Sequence, residues 1–231
     1  MKGRTIFCFL TMFLLMGCNK TLDTSVDDSV SNESTNSEMV EDSQETIVPD
    51  YNYIIFDKEY KVYINPSVQY KNQYIDKINN EGQVMNEIAL MLVNRLQSET
   101  NLNIKANLDG LSLSKSIKES NEFNPDIHFA IHSNGGGGVG SEVWVSKNSY
   151  DFGYSILESL NKIHNFKNRG VKYGDGTHAS LYEIKNTIAP CAIIEILFHD
   201  EINQATFILN NKKQIADSFF DGIINYLKNA N

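Results

Sequence analysis

Apolar residues recur along 51–231 with spacings that alternate between those of strands and those of helices. Short apolar runs bounded by polar or turn-forming residues predict strands, whereas apolar residues three and four positions apart predict helices. The predicted strands cover 60–64, 102–106, 127–131, 141–145, 180–184 and 191–197, and the predicted helices cover 84–96, 111–117, 152–163 and 202–227. Strands that alternate with helices predict an α/β fold, a three-layer sandwich with a central, mostly parallel twisted sheet flanked by helices.

The first 17 residues follow a different pattern, with Lys2 and Arg4 ahead of an apolar run from Ile6 to Met16. A charged start and an apolar run too short to span a bilayer predict an export signal. Residues 15–18, Leu-Met-Gly-Cys, resemble the lipobox of bacterial lipoproteins, in which the cysteine is lipidated and the chain is cut before it. We therefore expect Cys18 to anchor the exported protein to the outer face of the cytoplasmic membrane, facing the cell wall. An ordinary signal peptide with an accidental cysteine is the alternative.

Residues 18–50 predict a disordered tether between this anchor and a domain over 51–231. Within 19–50 there are five Asp and four Glu against one Lys, a charge of −8 in a chain whose net charge is −9. A segment of this composition buries too little apolar surface to offset the entropy lost on ordering. The acidic balance also argues against nucleic acid as a partner, because phosphate binding needs unpaired clusters of Lys and Arg.

Three side chains with acid–base or metal-binding chemistry lie where a parallel sheet gathers its ligands, at the carboxyl ends of the strands. Glu81 precedes the first predicted helix, His132 ends the third predicted strand, and Glu195 lies near the end of the last. Glu195 has three apolar residues on each side. A carboxylate in such a strand is costly to bury unless it is paired, bound to a metal or used in a reaction.

Each of these residues also has a simpler interpretation. An acid in the first turn of a helix is favoured by the helix dipole, which accounts for Glu81 without a metal. Glu195 faces solvent if the last strand alternates between two environments. His128 is excluded as a second ligand beside His132, because four residues of extended strand separate the two by about 13 Å.

Four stretches, taken in order, resemble the zinc-dependent N-acetylmuramoyl-L-alanine amidases of the Amidase_3 type: the helix that begins at Glu81, then 126–134, 181–187 and 190–198. The resemblance covers 61–225. These enzymes cut the amide between the lactyl group of muramic acid and the first L-Ala of peptidoglycan. The resemblance implies that Glu81 and His132 bind zinc and that Glu195 is the catalytic carboxylate, which accepts a proton from the attacking water and returns it to the leaving nitrogen.

The sequence departs from this family after the first strand, where members place a zinc-binding His in a Gly-His-Gly-Gly turn. Residues 66–72 read Pro-Ser-Val-Gln-Tyr-Lys-Asn instead, a form similar to that of a clostridial-type branch. Gln69 is a candidate third ligand through its amide oxygen, although a neutral oxygen ligand holds zinc less tightly than imidazole. His178 and His199 are the other candidates, and the sequence does not choose among the three.

Three hypotheses for the function follow. The first is a metal-dependent amidase that acts on peptidoglycan, and the second is a degenerate amidase-like domain that binds peptidoglycan or muropeptide without cutting it. The third, a zinc peptidase or other hydrolase, rests on fold analogy alone. The loop Gly135–Gly138 beside His132 is either a mobile wall of the site or a plain connection. Stem-peptide specificity and oligomeric state are not encoded in any pattern that we identify.

Overall fold

The computed structural model describes residues 53–230. The predicted signal, the lipidated Cys18 and the tether lie outside the described residues. The elements, in chain order, are β1 (Lys61–Pro66), α1 (Glu81–Glu99), β2 (Asn103–Ala106), α2 (Leu113–Phe123), β3 (Ile127–Asn134), β4 (Ser141–Val145), α3 (Tyr150–Asn161), β5 (Asn168–Tyr173), α4 (Tyr182–Asn186), β6 (Cys191–Phe198), α5 (Ile202–Asn210) and α6 (Lys212–Asn229). Within the described residues, none of these helices is long and apolar enough to cross a membrane.

The six strands form one sheet in the order β2-β1-β3-β6-β4-β5. Neighbouring strands are parallel except β4 and β6, which pair antiparallel. The predicted α/β class with a mostly parallel sheet is therefore confirmed. The strands with the richest apolar runs, β3 and β6, lie side by side in the middle, as expected for strands that are covered on both faces.

One predicted strand is wrong, and one strand was not predicted. Residues 180–184 contain the start of the short helix α4, with Leu181 as its N-cap. Leu181 and Ile184 are three positions apart and pack on one small apolar cluster. The sheet edge is formed instead by β5, whose sequence Asn-Arg-Gly-Val-Lys-Tyr has few apolar residues because its side chains are only partly buried. A polar edge strand of this kind gives no apolar run to recognise.

The two faces of the sheet are covered unequally. On one face, α1, α3 and α6 pack over a large apolar core that receives Phe129 and Ile131 of β3 and Ile194 of β6. On the other face, α4 covers a cluster of only four buried apolar residues, with Trp144 and Leu181 packed at its margin: Ala130, Ile184, Cys191 and Ile193. Because side chains alternate along a strand, the candidate residues of β3 and β6 project toward this thinly covered face.

The turn between β1 and α1 is fixed to the start of the helix. Asn80 caps α1 by accepting a hydrogen bond from the backbone N–H of Gln83, and the N–H of Glu81 donates to the carbonyl of Asn72. The ring of Tyr70 packs on Gly82, where an added Cβ would lie 2.6 Å from the ring. These contacts hold the turn, and Gln69 within it, close to the helix start.

Candidate active site

The centre of the site is a row of polar side chains across three strands. His132 of β3 is in register with Glu195 of β6, and Glu195 is in register with Glu142 of β4. Register partners on paired strands project from the same face of a sheet. The sheet therefore places the predicted ligand His132 beside the predicted catalytic carboxylate Glu195, on the thinly covered face.

Glu81 enters this site from the first turn of α1. Its carboxylate is buried, with Oε1 3.0 Å from Nδ1 of His132, and Oε2 accepts a hydrogen bond of 2.8 Å from Asn72. Burial would raise the pKa of Glu81, but the hydrogen bonds from His132, Asn72 and Ser67 hold it below its ordinary value. Glu81 is therefore an anion in the site, as a metal ligand must be.

His132 carries a proton in the absence of a metal. Burial would lower the pKa of its imidazole, but the hydrogen bond to Glu81 and the charges of Glu195, Glu81 and Glu183 raise it to about 9. The Nδ1–H then donates to Glu81. A cation that binds at Nδ1 has to displace this proton, so its binding would release a proton to solvent.

Gln69 lies against both of these residues. Its Nε2 is 3.3 Å from Nδ1 of His132 and 3.5 Å from Oε1 of Glu81, and its Oε1 accepts a hydrogen bond of 2.9 Å from Asn72. The three residues that we predicted as ligands are therefore neighbours. Asn72, the last residue of the Pro-Ser-Val-Gln-Tyr-Lys-Asn segment, holds two of them and was not predicted to do so.

Glu81 and His132 lie close enough together to bind one metal ion between them, but they are two strong ligands rather than three. Within residues 53–230, no group of three or more His, Cys, Asp or Glu could hold a metal. The 3.0 Å between the Glu81 and His132 atoms is close to the spacing of two ligands that each lie about 2.0–2.2 Å from one ion. A half-turn of the Gln69 amide exchanges its nitrogen for an oxygen ligand.

The two other candidate third ligands are engaged elsewhere. His199 is buried, its Nδ1 lies 3.1 Å from the Ser133 hydroxyl, and its ring stacks on Tyr74. His178 accepts a hydrogen bond from the backbone N–H of Tyr173 through its Nδ1. Of the three candidates, Gln69 is the one in contact with Glu81 and His132.

Glu195 is the least satisfied polar group of the site. Its Oε2 is buried and has no hydrogen-bond partner within the described residues. Burial raises the pKa of Glu195 to about 7, with His132 opposing this rise and Glu81 and Glu142 adding to it. One oxygen of the carboxylate is therefore shielded from solvent, although the side chain as a whole is partly exposed. A pKa near neutrality and a free lone pair suit a group that accepts and returns a proton.

A second buried carboxylate, Glu183 of α4, lies behind His132 and was missed from the sequence. Its Oε1 accepts hydrogen bonds from Asn65 and from Nε2 of His128, and its Oε2 lies 4.0 Å from Nε2 of His132. Burial would raise the pKa of Glu183, but His128, His132 and Asn65 hold it below its ordinary value. His128, which we excluded as a ligand, is connected to the site through this carboxylate.

The glycine loop beside His132 is held in place. The backbone N–H groups of Gly136 and Gly137 donate to the Asp200 carboxylate, and Gln204 bonds to the backbone of Gly138 and Gly140. An added Cβ at Gly138 would lie 2.2 Å from the Phe198 ring. Gly138 therefore permits close packing on the last residue of β6.

Comparison with solved structures shows which proteins share the fold of this chain. The catalytic domain of CwlV, an N-acetylmuramoyl-L-alanine amidase from Bacillus (Paenibacillus) polymyxa var. colistinus, is 19% identical, with a TM-score of 0.66 over 73% of this chain and 98% of that one. An N-acetylmuramoyl-L-alanine amidase from Clostridium difficile 630 is 18% identical, with a TM-score of 0.67 over 75% and 99%. The CwlD amidase of Clostridioides difficile, in a complex with the GerS lipoprotein, is 18% identical, with a TM-score of 0.61 over 74% and 99%. These similarities show a shared fold.

Sequence comparison adds the family. An uncharacterized 38.4 kDa protein of Clostridium perfringens is 31% identical over 90 residues, and the match spans 36% of this chain and a quarter of the length of that protein. The model of the family Amidase_3, N-acetylmuramoyl-L-alanine amidase, matches residues 67–225, which is more than half of the chain. The resemblance that we drew from Glu81, His132 and Glu195 is thereby confirmed at the level of the family. The chain belongs to the Amidase_3 family of N-acetylmuramoyl-L-alanine amidases.

Proposed function

We propose that this protein hydrolyses the amide bond between the lactyl group of N-acetylmuramic acid and L-Ala in peptidoglycan. The observation that carries the proposal is the buried Oε2 of Glu195, which has no hydrogen-bond partner among residues 53–230 and belongs to a residue in register with His132 and near Glu81. A buried hydrogen-bond acceptor without a partner lowers the stability of the fold. Such a group is useful only where it accepts a proton.

The ligands of the metal in this proposal are Glu81, His132 and Gln69. The Amidase_3 family is generally zinc-dependent. When bound, zinc supplies a Lewis acid that polarises a carbonyl and acidifies a water. Glu81 contributes the negative charge of the ligand set, and His132 contributes a ring nitrogen once its proton has left. Asn72 holds Glu81 in place through a hydrogen bond, and its hydrogen bond to Oε1 of Gln69 is given up when that oxygen turns toward the metal.

Glu195 moves the proton in this reaction. Its Oε2 accepts a proton from the water whose oxygen bonds to the lactyl carbonyl carbon, and it then donates that proton to the amide nitrogen as the C–N bond breaks. The products are a lactyl carboxylate on the glycan and a free α-amino group on L-Ala. Glu183, whose Oε2 lies 4.0 Å from Nε2 of His132, would favour a proton on that nitrogen through its negative charge and so leave Nδ1 to the metal.

A second function, binding of peptidoglycan without cleavage, is favoured by the state of Gln69. The amides of Gln69 and Asn72 and the carboxylate of Glu81 already satisfy one another through hydrogen bonds. A site that is stable without a metal does not need one in order to fold, and a neutral ligand in place of imidazole lowers affinity for zinc.

Metal-dependent turnover separates the two functions. The purified protein is incubated with peptidoglycan after treatment with a chelator and again after addition of zinc, and newly formed L-Ala amino groups are quantified. We expect release only in the zinc-loaded protein, with close to one zinc per chain in metal analysis. Peptidoglycan that is retained by the protein but never cleaved, with any divalent metal supplied, would establish the binding function instead.

We propose in addition that the protein is exported and anchored by a lipid on Cys18. The support is the lipobox-like segment 15–18 and the acidic segment 19–50, which would let the domain reach the cell wall from the membrane. The intact mass of the mature protein should correspond to a chain that begins at a lipidated Cys18, and Cys18→Ala should release the protein from the membrane fraction. A mature protein that is cut elsewhere and carries no lipid would contradict the proposal.

A further inference from the structure

A cluster of charged and aromatic side chains extends the row of His132 and Glu195 toward the edge of the sheet. Glu142, the register partner of Glu195, is buried, and it accepts hydrogen bonds from Asn134, Trp144, Arg169 and Lys172. None of these residues accepts or donates a proton in the reaction described above. They occupy the thinly covered face on the β4 and β5 side of Glu195.

A bulge in β5 is what brings two cations to one carboxylate. Between the pairs Ser141–Asn168 and Val143–Val171, β5 has one residue more than β4. Gly170, within this bulge, has a φ of +82°, a conformation that glycine adopts at little cost. The extra residue lets Arg169 and Lys172, three positions apart, reach the same side of the sheet. Bulges that re-aim a side chain in this way are common next to active sites.

The cluster carries one positive charge in excess. Burial would raise the pKa of Glu142, but Lys172 and Arg169 hold it below its ordinary value, so Glu142 is an anion between two cations. Neutralising a buried carboxylate needs only one cation. The second leaves a charge that is available to a ligand.

Both cations are held in place and are open to solvent on one side. The Arg169 guanidinium lies 5.1 Å from the Phe198 ring centroid, and the Lys172 ammonium lies 5.0 Å from that of Trp144. Their side chains are 29% and 28% exposed. Arg169 bonds to Glu142 through Nε, and its two terminal nitrogens have no hydrogen-bond partner within residues 53–230. Such a fork is suited to a carboxylate.

We infer that Arg169, Lys172 and Trp144 form a subsite for a carboxylate-bearing stem peptide, on the leaving-group side of Glu195. This inference rests on the proposed amidase function. β5 is the second strand from β6 in the sheet. Neighbouring strands are about 4.8 Å apart, so the β5 backbone is about 10 Å from that of Glu195. An extended peptide advances about 3.3 Å per residue. A carboxylate on the second or third residue of the stem peptide therefore reaches the cluster.

The opposite side of the site offers no Lys or Arg to an anion. A cleft of about 100 Å³ lies there between β1 and α2. Its walls include Gln69 and His132 of the proposed metal site and the Glu183 carboxylate, and none of its lining residues is a Lys or Arg. The stem peptide carries carboxylates and the N-acetylated glycan is neutral, so charge orients the substrate with its peptide toward β5.

The test compares two soluble muramoyl tripeptides, one with its peptide carboxylates free and one with them converted to carboxamides. The zinc-loaded full-length protein and its Lys172→Gln variant are assayed on both. We expect Lys172→Gln to raise KM for the carboxylate substrate about ten-fold, since one charge-assisted hydrogen bond is lost. KM for the carboxamide should change less than two-fold, and kcat should change little on either substrate.

Two further variants give the controls. Lys172→Arg keeps the cation and should restore most of the affinity for the carboxylate substrate. Lys213→Gln removes the same charge from α6, where the side chain is 78% exposed, and should alter neither KM. If Lys172→Gln raises KM equally for both substrates and lowers the melting temperature, Lys172 only supports Glu142. An unchanged KM of Lys172→Gln for both substrates would also overturn the subsite.

Failure of the proposed amidase function is a separate outcome. If the wild-type protein hydrolyses neither tripeptide, the amidase assignment fails. The subsite is then judged by calorimetric titration of the same two peptides into wild type and Lys172→Gln. The subsite is supported if wild type binds the carboxylate peptide more tightly than the carboxamide peptide and Lys172→Gln does not. It is refuted if both proteins bind both peptides equally.

Discussion

The two faces of strands β3 and β6 differ in physical character, although both are built from alternate residues of the same two strands. Phe129, Ile131 and Ile194 point into the large apolar core, where every side chain has an apolar partner. His132 and Glu195 point the other way, onto a face with a small apolar cluster and a carboxylate oxygen that has no hydrogen-bond partner in the described part of the chain. Because the alternation of a strand is fixed, the core face determines where the reactive side chains lie.

The largest expected contrast is between neighbours on the two faces, His132 and Ile131. His132→Ala removes the ring nitrogen from the ligand set, so we expect loss of zinc and of all detectable hydrolysis, and it leaves the buried Glu81 carboxylate without its imidazole partner. Ile131→Ala leaves a cavity in the core, so we expect about 2–5 kcal/mol of lost stability. Metal analysis and denaturant unfolding of both variants measure the two effects. Equal zinc content in wild type and His132→Ala would remove His132 from the site.

A smaller effect on stability should come from Glu195 in the zinc-free protein. The pKa of Glu195 is raised from an ordinary 4.5 to about 7, so its contribution to stability is fully present below 4.5 and is lost as the pH rises through 7. Glu195→Gln should therefore stabilise the chelator-treated protein at pH 8, by on the order of 1–3 kcal/mol, more than at pH 5.

Thermal unfolding at the two pH values checks this expectation. Glu122→Gln, in which the exposed side chain on α2 is changed in the same way, is the matched control and should show no such pH dependence. If wild type and Glu195→Gln differ in melting temperature by the same amount at pH 5 and pH 8, the raised pKa of the Glu195 carboxyl is contradicted.

The smallest effect should come from Glu183, which lies behind the imidazole of His132. Glu183→Gln keeps the volume of the side chain but removes the charge near Nε2, so we expect the affinity for zinc to fall about 10–100-fold in a competition with a chelator. Glu99→Gln, at the far end of α1, is the control. Unchanged affinity in Glu183→Gln would show that Glu183 serves only to pair the buried His128.

The sequence was sufficient to predict that Glu81, His132 and Glu195 meet, because each lies at the end of a strand or at the start of a helix in a parallel α/β arrangement. That prediction depended on local spacing and on chain order, which are both visible in the sequence. Gln69 was predicted through the resemblance, because its turn stands where the family has a zinc-binding His.

Glu183 and the cluster around Glu142 could not be predicted in the same way. The segment that contains Glu183 has apolar residues close enough together to resemble a strand, and its one helical turn is too short to show a period. The cluster depends on the bulge at Gly170 and on the antiparallel pairing of β4 with β6. Both are properties of strand pairing, which a single sequence does not specify.

The most direct test of the central claim is the hydrolytic rate of Glu195→Gln measured together with its zinc content. The variant keeps the shape of the side chain and removes only its ability to accept a proton. We predict a fall of about 10²–10⁴-fold in the release of L-Ala amino groups from peptidoglycan, with zinc content equal to that of wild type. A zinc-loaded variant that hydrolyses peptidoglycan as fast as wild type would contradict the role assigned to Glu195.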